Sequence, residues 1–219
     1  AKDEIPSLTS GARGSIRLGL VSSSASPGLY RCLARFHKIF PDVSLKVYEG
    51  NTFELLDMLE KGKLDAILTV DEKLNRPNWK TAHELETEIC FFCSCNHPFA
   101  KREMVTMDEL IRERFIQIEE GCNYRQAFEA YLAQQGKTIV NVQEVGYTSM
   151  IIDCVADNIG ISLLPKFTLE DALREGRIAL ITVAGYSITM LMQVIYSKNR
   201  WATPALRAFL DMTREYLVD

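Results

Sequence analysis

The sequence predicts an α/β protein of two lobes, and three observations support this prediction. Strand and helix patterns alternate over residues 15–70, and they alternate again from about residue 95 to 190. Two longer apolar stretches, 86–95 and 187–197, read as strands that cross from one lobe to the other. Strands and helices that alternate at this spacing form parallel sheets with crossover helices. We therefore expect two Rossmann-like lobes joined by two crossing strands.

The first lobe begins with the apolar strand "SIRLGLV", and the polar turn "SSSASP" follows it. The next segment has leucine and phenylalanine at helical spacing and ends before Pro41, which disfavours helix in the residue before it. Asn51 or Thr52 can cap a second helix, which Gly62 closes. In order, the predicted elements are strand 15–21, helix 29–40, strand 43–49, helix 53–61 and strand 65–70.

The second lobe repeats the alternation with shorter strands. In order, the predicted elements are helix 107–113, strand 114–118, helix 124–135, strand 141–145, helix 150–158, strand 161–165, helix 167–175 and strand 178–183. A last amphipathic helix follows Thr203, with Pro204 at its first position. Ligands in such sheets bind beyond the carboxyl ends of the strands. The loops of interest in the first lobe are therefore 22–27, 50–52 and 70–78.

Charge and composition exclude several function classes. The formal net charge is −4 and no run of Lys or Arg forms a basic stripe, so these residues alone are a poor nucleic-acid binder. No apolar stretch approaches the ~20 residues that span a bilayer, and the first residues do not form a signal peptide. The six cysteines lack a disulfide spacing, which favours free thiols in a reducing, cytoplasmic setting.

The cysteines also raise two chemical possibilities, and both have a simpler interpretation. Cys93, Cys95 and His97 would lie on one face of a strand and could bind a metal there. However, the Phe-Phe spacer between the cysteines of this strand is not a turn, and a second pair of ligands is missing. Cys122 precedes a helix, where a thiol pKa falls, but no histidine forms a motif with it. Known nucleotide-binding, hydrolase and zinc motifs are absent from the sequence. We expect no catalytic residue, no metal and no cofactor.

Polar side chains stand where several predicted helices begin. Ser22, Ser23 and Ser24 follow the first strand, Asn123 precedes one helix, and Thr148 and Ser149 precede another. Helix N-termini carry unpaired N–H groups and a partial positive charge, which favours an anion such as a carboxylate or sulfate. Ordinary N-capping is the alternative interpretation of the same residues.

Four segments carry a resemblance to a known family. They are "GSIRLGLVSS" (14–23), "LARFHKIFPDVSLKVYEGNTFELLDMLEKGKLDAIL" (33–68), "HPFA" (97–100) and "VADNIGISLLP" (155–165). In this order and spacing, the chain resembles the effector-binding domain of LysR-type transcriptional regulators over residues 14–218. No single motif is decisive, but the ordered set is specific.

The resemblance implies a type 2 periplasmic-binding-protein-like fold with a small, often anionic effector in a cleft between the lobes. Residues 1–13 would end a linker to an absent N-terminal winged helix-turn-helix, through which alone the protein would bind DNA. The first lobe would comprise 14–93 with 192–219, and the second 94–191. A homodimer, and a tetramer of the full-length protein, is also implied.

The resemblance also assigns effector contacts. These are Ser22, Ser23, Ser24, Cys122, Asn123, Tyr124, Thr148 and Ser149. Some relatives sense oxidants with a cysteine pair, but here Tyr131 stands where the partner of Cys122 is expected.

Two other functions remain open on this fold. A solute-binding protein of a transporter has the same cleft, but the free cysteines and the absent export signal speak against it. An enzyme, such as a dehydratase or phosphoribosyltransferase, would need catalytic residues that the cleft loops lack.

Overall fold

The computed structural model describes residues 14–198 and 203–216, and these fall into two compact units. The first unit includes residues up to 85 and from 191 onward, and the second comprises 86–190. The strands Trp79–Ser94 and Ile188–Ser197 each run across one of these divisions, so two crossing strands connect the units as predicted. The sequence predicted this division after residue 93, near the end of the first crossing strand, whereas the first unit extends to residue 85. The expected linker, 1–13, lies outside the described residues.

The first unit is a sheet with helices that connect its strands. Its central strand, β1, runs parallel to both β2 and β3, while β9 pairs antiparallel with β3, which gives the order β2-β1-β3-β9. Its elements are β1 Gly14–Leu20, α1 Pro27–Ile39, β2 Val43–Glu49, α2 Thr52–Glu60, β3 Ala66–Asp71, the first part of β4 Trp79–Ser94, the last part of β9 Ile188–Ser197, and α7 Pro204–Tyr216.

Local sequence fixes where the helices of this unit begin. Ser26 accepts a hydrogen bond from the Leu29 backbone at 3.1 Å and caps α1. Asn51 forms a capping box with Glu54 at the start of α2. The rings of Phe36 and Phe209 meet edge to face with centroids 5.4 Å apart, which packs α1 against α7.

The second unit repeats the same strand order around β5. Strand β6 pairs parallel with β5 on one side, and Ile161, just before β7, forms a parallel bridge to Phe115 on the other. The end of β4 pairs antiparallel with both β7 and β8. The elements of this unit are α3 Met107–Leu110, β5 Arg114–Gln117, α4 Asn123–Gln134, β6 Asn141–Glu144, α5 Thr148–Ala156, β7 Ser162–Pro165, α6 Lys166–Arg174 and β8 Ile178–Ile181.

The segment between α5 and β7 requires an unusual backbone. Asn158 adopts a positive φ of 58°, which ends α5 in the left-handed conformation that asparagine tolerates. A Cβ on Gly160 would lie 2.5 Å from the Arg114 carbonyl oxygen. Only glycine lets the chain approach β5 this closely before it enters β7.

Several predicted boundaries differ from the structure, and three of these differences concern β4, α3 and α5. Strand β4 begins at Trp79 rather than 86, because residues 79–85 include exposed polar side chains that obscure the apolar pattern of the strand. Helix α3 ends at Leu110, and the chain continues as a turn to 113. Helix α5 begins at Thr148 rather than 150. Among the described residues, no helix has the length and apolar character that a membrane crossing requires.

Candidate functional site

The serine run lies where the first unit is expected to bind ligands. Ser22, Ser23 and Ser24 form a short 3-10 helix directly after β1, the strand at the centre of the order β2-β1-β3. Connections leave the two neighbouring strands β1 and β3 in opposite directions, which makes this edge a topological switch point. The sequence therefore located this turn correctly, although it is helical rather than irregular.

The three serines differ in how they are held. The Ser24 hydroxyl is fully buried and donates to the Val21 carbonyl at 2.8 Å and the Leu68 carbonyl at 3.3 Å. The Val21 backbone also donates to Leu68, at 3.1 Å. Ser24 thus fixes the turn to β3, while Ser23 is buried and Ser22 is half-buried.

A threonine pair that the sequence did not reveal lies toward the same edge. The hydroxyls of Thr52, the first residue of α2, and Thr69 in β3 lie 2.8 Å apart in the interior. Thr69 sits in an otherwise apolar strand, so its polar role could only be suspected from that contrast. The pair ties the start of α2 to the carboxyl half of β3.

The last residue of β3, Asp71, has a carboxyl group with a perturbed pKa. Burial raises the pKa of Asp71 to about 6, against a smaller lowering effect from the Glu72 backbone N–H that it accepts. The buried Gln193 of β9 holds the loop that follows Asp71: it accepts from the Leu74 backbone at 3.0 Å and donates to the Glu72 carbonyl at 2.9 Å. A side chain that is distant in the sequence therefore helps to order this loop.

The second unit brings its expected residues to the carboxyl edge of β5 and β6. Asn123 is the first residue of α4, and Thr148 and Ser149 are the first two of α5. The prediction that these three precede their helices was wrong. The N-cap positions belong to Cys122 and Tyr147, and neither side chain accepts a capping hydrogen bond. The polar residues Asn123, Thr148 and Ser149 instead lie in the first turns of α4 and α5.

The environment of Cys122 does not favour a thiolate. Burial raises its pKa to about 11, and the neighbouring Tyr124 and Arg125 lower it by less. A reactive cysteine needs a lowered pKa. The packed, unreactive interpretation of Cys122 is therefore the better one, and Tyr124 beside it is fully buried.

Arg125 fixes the start of α4. Its guanidinium is buried and donates to the Ile118 carbonyl at 2.6 Å and to the Glu144 carboxylate at 2.8 Å. It also pairs with Glu129 at 2.8 Å, one turn further along α4. These bonds join the exit of β5, the end of β6 and the first turns of α4 into one rigid edge.

The strand cysteines do not form a cluster with His97. Strand β4 ends at Ser94, after which the alternation stops: Cys93 and His97 are buried and Cys95 is exposed. The His97 ring accepts the Phe99 backbone N–H at 3.1 Å, which caps a short turn. Within residues 14–198 and 203–216, no three His, Cys, Asp or Glu side chains are grouped to hold a metal.

Two α/β units with polar groups at the carboxyl edges of their central strands are typical of proteins that bind small ligands. The chain belongs to the LysR substrate binding domain family, which matches residues 9–218. The resemblance seen in the sequence is thus confirmed.

Similar proteins are transcriptional regulators. The HTH-type transcriptional regulator CfxR of Cupriavidus necator is 30% identical over 228 residues, which cover 99% of this chain and 69% of CfxR. The HTH-type transcriptional regulator GltR of Bacillus subtilis is 27% identical over 209 residues, which cover 95% of this chain and 69% of GltR. The chain spans about two thirds of the length of these relatives.

Solved structures share the fold at low identity. The effector binding domain of QuiR in complex with shikimate has a TM-score of 0.72 and 18% identity, over 94% of this chain and 99% of that one. The Synechocystis CcmR regulatory domain in complex with 2-PG has a TM-score of 0.77 and 18% identity, over 93% and 98%. These likenesses confirm the predicted type 2 periplasmic-binding-protein-like fold.

Proposed function

We propose that the chain is the effector-sensing domain of a LysR-type transcriptional regulator and that it binds a small anionic metabolite. The observation that carries the proposal is the position of the polar residues. Hydroxyl groups and helix N-termini, both hydrogen-bond donors, lie at the carboxyl edge of the central strands in each unit. Its relatives are named as regulators, which supports a binding role without catalysis and a cytoplasmic location.

The proposed contacts in the first unit are Ser22 and Ser23, with Ser24 as the residue that fixes their turn. In the second unit they are Thr148, Ser149 and the residues Cys122 to Tyr124 at the start of α4. Binding in a cleft between the units stays a prediction of the sequence. Relatives of this fold support the ligand class, since shikimate, bound by QuiR, is a carboxylate.

Sensing requires that the effector bind one conformation of the domain more tightly than another. An effector with equal affinity for both would shift nothing, however tightly it bound. We propose that DNA is contacted only through a winged helix-turn-helix outside these 219 residues. The net charge of −4 on the chain supports the proposal that these residues do not contact DNA themselves.

The proposal is tested by a thermal-shift screen of carboxylates, phosphates and sulfate, followed by titration calorimetry. A ligand that binds only the folded state raises Tm. Ser22→Ala and Thr148→Val should each weaken binding of a confirmed compound by roughly 3- to 30-fold, the value of one hydrogen bond. Thr138→Val, at an exposed loop position of the second unit, is the matched control and should bind normally.

Failure of every compound to raise Tm or to give a calorimetric signal would contradict the proposal. If both variants bind the compound normally, the proposed function stands, but Ser22 and Thr148 do not contact the effector.

We also propose that the domain forms a homodimer, and two sheet edges support this. Strands β2 and β6 each end a sheet within the described residues, and both expose apolar side chains, Val47 on β2 and Val142 on β6. Unprotected edges of this kind invite pairing. Light scattering after gel filtration should give twice the chain mass, and Val142→Lys should lower it while Thr138→Lys does not.

A further inference from the structure

We propose that Gln117 binds the effector directly and that its side-chain amide donates a hydrogen bond to an anionic oxygen of the ligand. This inference rests on the proposed function and adds a residue that neither the sequence nor the family resemblance indicated. Gln117 is 1% exposed, and its Nε2 has no hydrogen-bond partner among the described residues. A buried amide donor without a partner costs about 1–3 kcal/mol, so native structures rarely keep one without a purpose.

The position of Gln117 links it to the start of both helices at this edge. It is the last residue of β5, and its carbonyl accepts the Val145 backbone N–H at the exit of β6 at 2.9 Å. The next carbonyl, of Ile118, accepts from Arg125 in the first turn of α4. Helix α5 begins three residues after Val145, at Thr148. The backbone of Gln117 thus lies between two helix N-termini.

The pleat of β5 determines which face the side chain occupies. Successive side chains of a strand alternate, so Gln117 shares a face with Phe115. The Phe115 ring lies 5.9 Å from the ring of Phe128 in α4, so this is the face that α4 covers. Gln117 is one pleat nearer to the carboxyl edge than Phe115, and its amide therefore lies under the first turn of α4.

The groups at this place are donors, which defines the ligand as an acceptor. An amide nitrogen and the N-terminal N–H groups of a twelve-residue helix favour negative charge. The guanidinium of Arg125 is already paired with Glu129 and Glu144. Glu119, an exposed carboxylate, lies beside Gly146 at the same edge. This added negative charge favours a singly charged carboxylate over a doubly charged phosphate.

The test compares Gln117→Leu, Gln117→Glu and a control, Gln126→Leu, which changes an exposed glutamine of α4. The probes are shikimate, lactate, 2-PG and sulfate, and the tightest binder to the unaltered chain is carried forward. We expect Gln117→Leu to lose roughly 10- to 100-fold in affinity, as for a hydrogen bond to a charged group. Gln117→Glu should lose more through repulsion, and Gln126→Leu nothing.

A second readout separates ligand contact from a structural role. Removal of an unpartnered donor does not weaken the fold, so Gln117→Leu should keep or raise the Tm of the free chain. A fall in that Tm by several degrees, or unchanged affinity, would overturn the inference while leaving the proposed function intact. If no probe binds the unaltered chain, the proposed function fails and this inference fails with it. A preference for 2-PG or sulfate over shikimate and lactate would overturn the ligand class.

Discussion

Arg17 and Asp65 bind each other through both side chain and backbone. The carboxylate of Asp65 accepts from the Arg17 guanidinium at 2.8 and 3.2 Å and from the Arg17 backbone at 2.8 Å. The Asp65 backbone N–H donates in turn to the Arg17 carbonyl, at 2.8 Å. The pair joins β1 to the residue that precedes β3, and this fixes the register of the two central strands of the first unit.

We expect Asp65→Ala to lower the free energy of unfolding by about 2–3 kcal/mol, because it removes charge-assisted hydrogen bonds in a half-buried setting. Asp57→Ala is the control, since Asp57 pairs with Lys61 on an exposed face of α2. Exposed pairs of this kind contribute ~0–1 kcal/mol. Urea unfolding measures both, and equal effects would contradict the prediction.

Gly160→Ala should destabilise the second unit. The added Cβ would lie 2.5 Å from the Arg114 carbonyl oxygen, a backbone atom that cannot rotate away. We expect a loss of about 2 kcal/mol or more in urea unfolding, the range of overpacked sites. At Gly146 the nearest atom to a new Cβ is 3.7 Å away, so Gly146→Ala should change little. A tolerated Gly160→Ala would show that the chain does not need this close approach.

Asp71 should make stability depend on pH. Its pKa in the folded chain is about 6, above the usual 3.8, so the folded state binds the proton more tightly than the unfolded state. Stability contributed by this group is present below the lower value and is lost as pH rises through the upper one. Asp71→Asn should therefore be more stable than the unaltered chain by about 1–2 kcal/mol near pH 7.5, after allowance for partial exposure, and equal to it near pH 4.

Urea unfolding at both pH values tests this prediction, and Asp57→Asn serves as the half-exposed control. A difference for Asp71→Asn that is the same at both pH values would show that charge is not its cause.

All six cysteines are free thiols, and their reactivity should differ widely. Burial raises the pKa of Cys32 to about 12 and that of Cys93 and Cys122 to about 11, whereas Cys95 is exposed. A thiol reagent should label Cys95 first in the folded chain and reach six groups only after denaturation. If Cys95 is the thiol that reacts first, the rapid phase of labelling should be absent from Cys95→Ser. Rapid labelling of Cys122 would instead support a redox role for that residue.

Sequence patterns predicted most of the fold because local rules determine it. Asn51 caps α2 as its position indicates, and apolar periodicity located nearly every element. Thr69, Gln117 and Gln193 could not be assigned in this way. Each is a polar residue inside an apolar strand, and its role depends on a partner or an edge that only the folded topology supplies.

The hydrogen bonds of Gln193 link the crossing strand β9 to the loop that follows β3. Strand β9 leaves the second unit at residue 190, and Gln193 follows shortly after in the first unit, where its amide binds the backbone of Glu72 and Leu74 in the loop that follows Asp71. A shift of β9 by one residue against β3 would turn this amide to the opposite face of the sheet and release the loop. The order of that loop therefore depends on the register of β9 against β3, in addition to the contacts of the loop's own side chains, such as the Lys73–Glu84 ion pair at 2.7 Å.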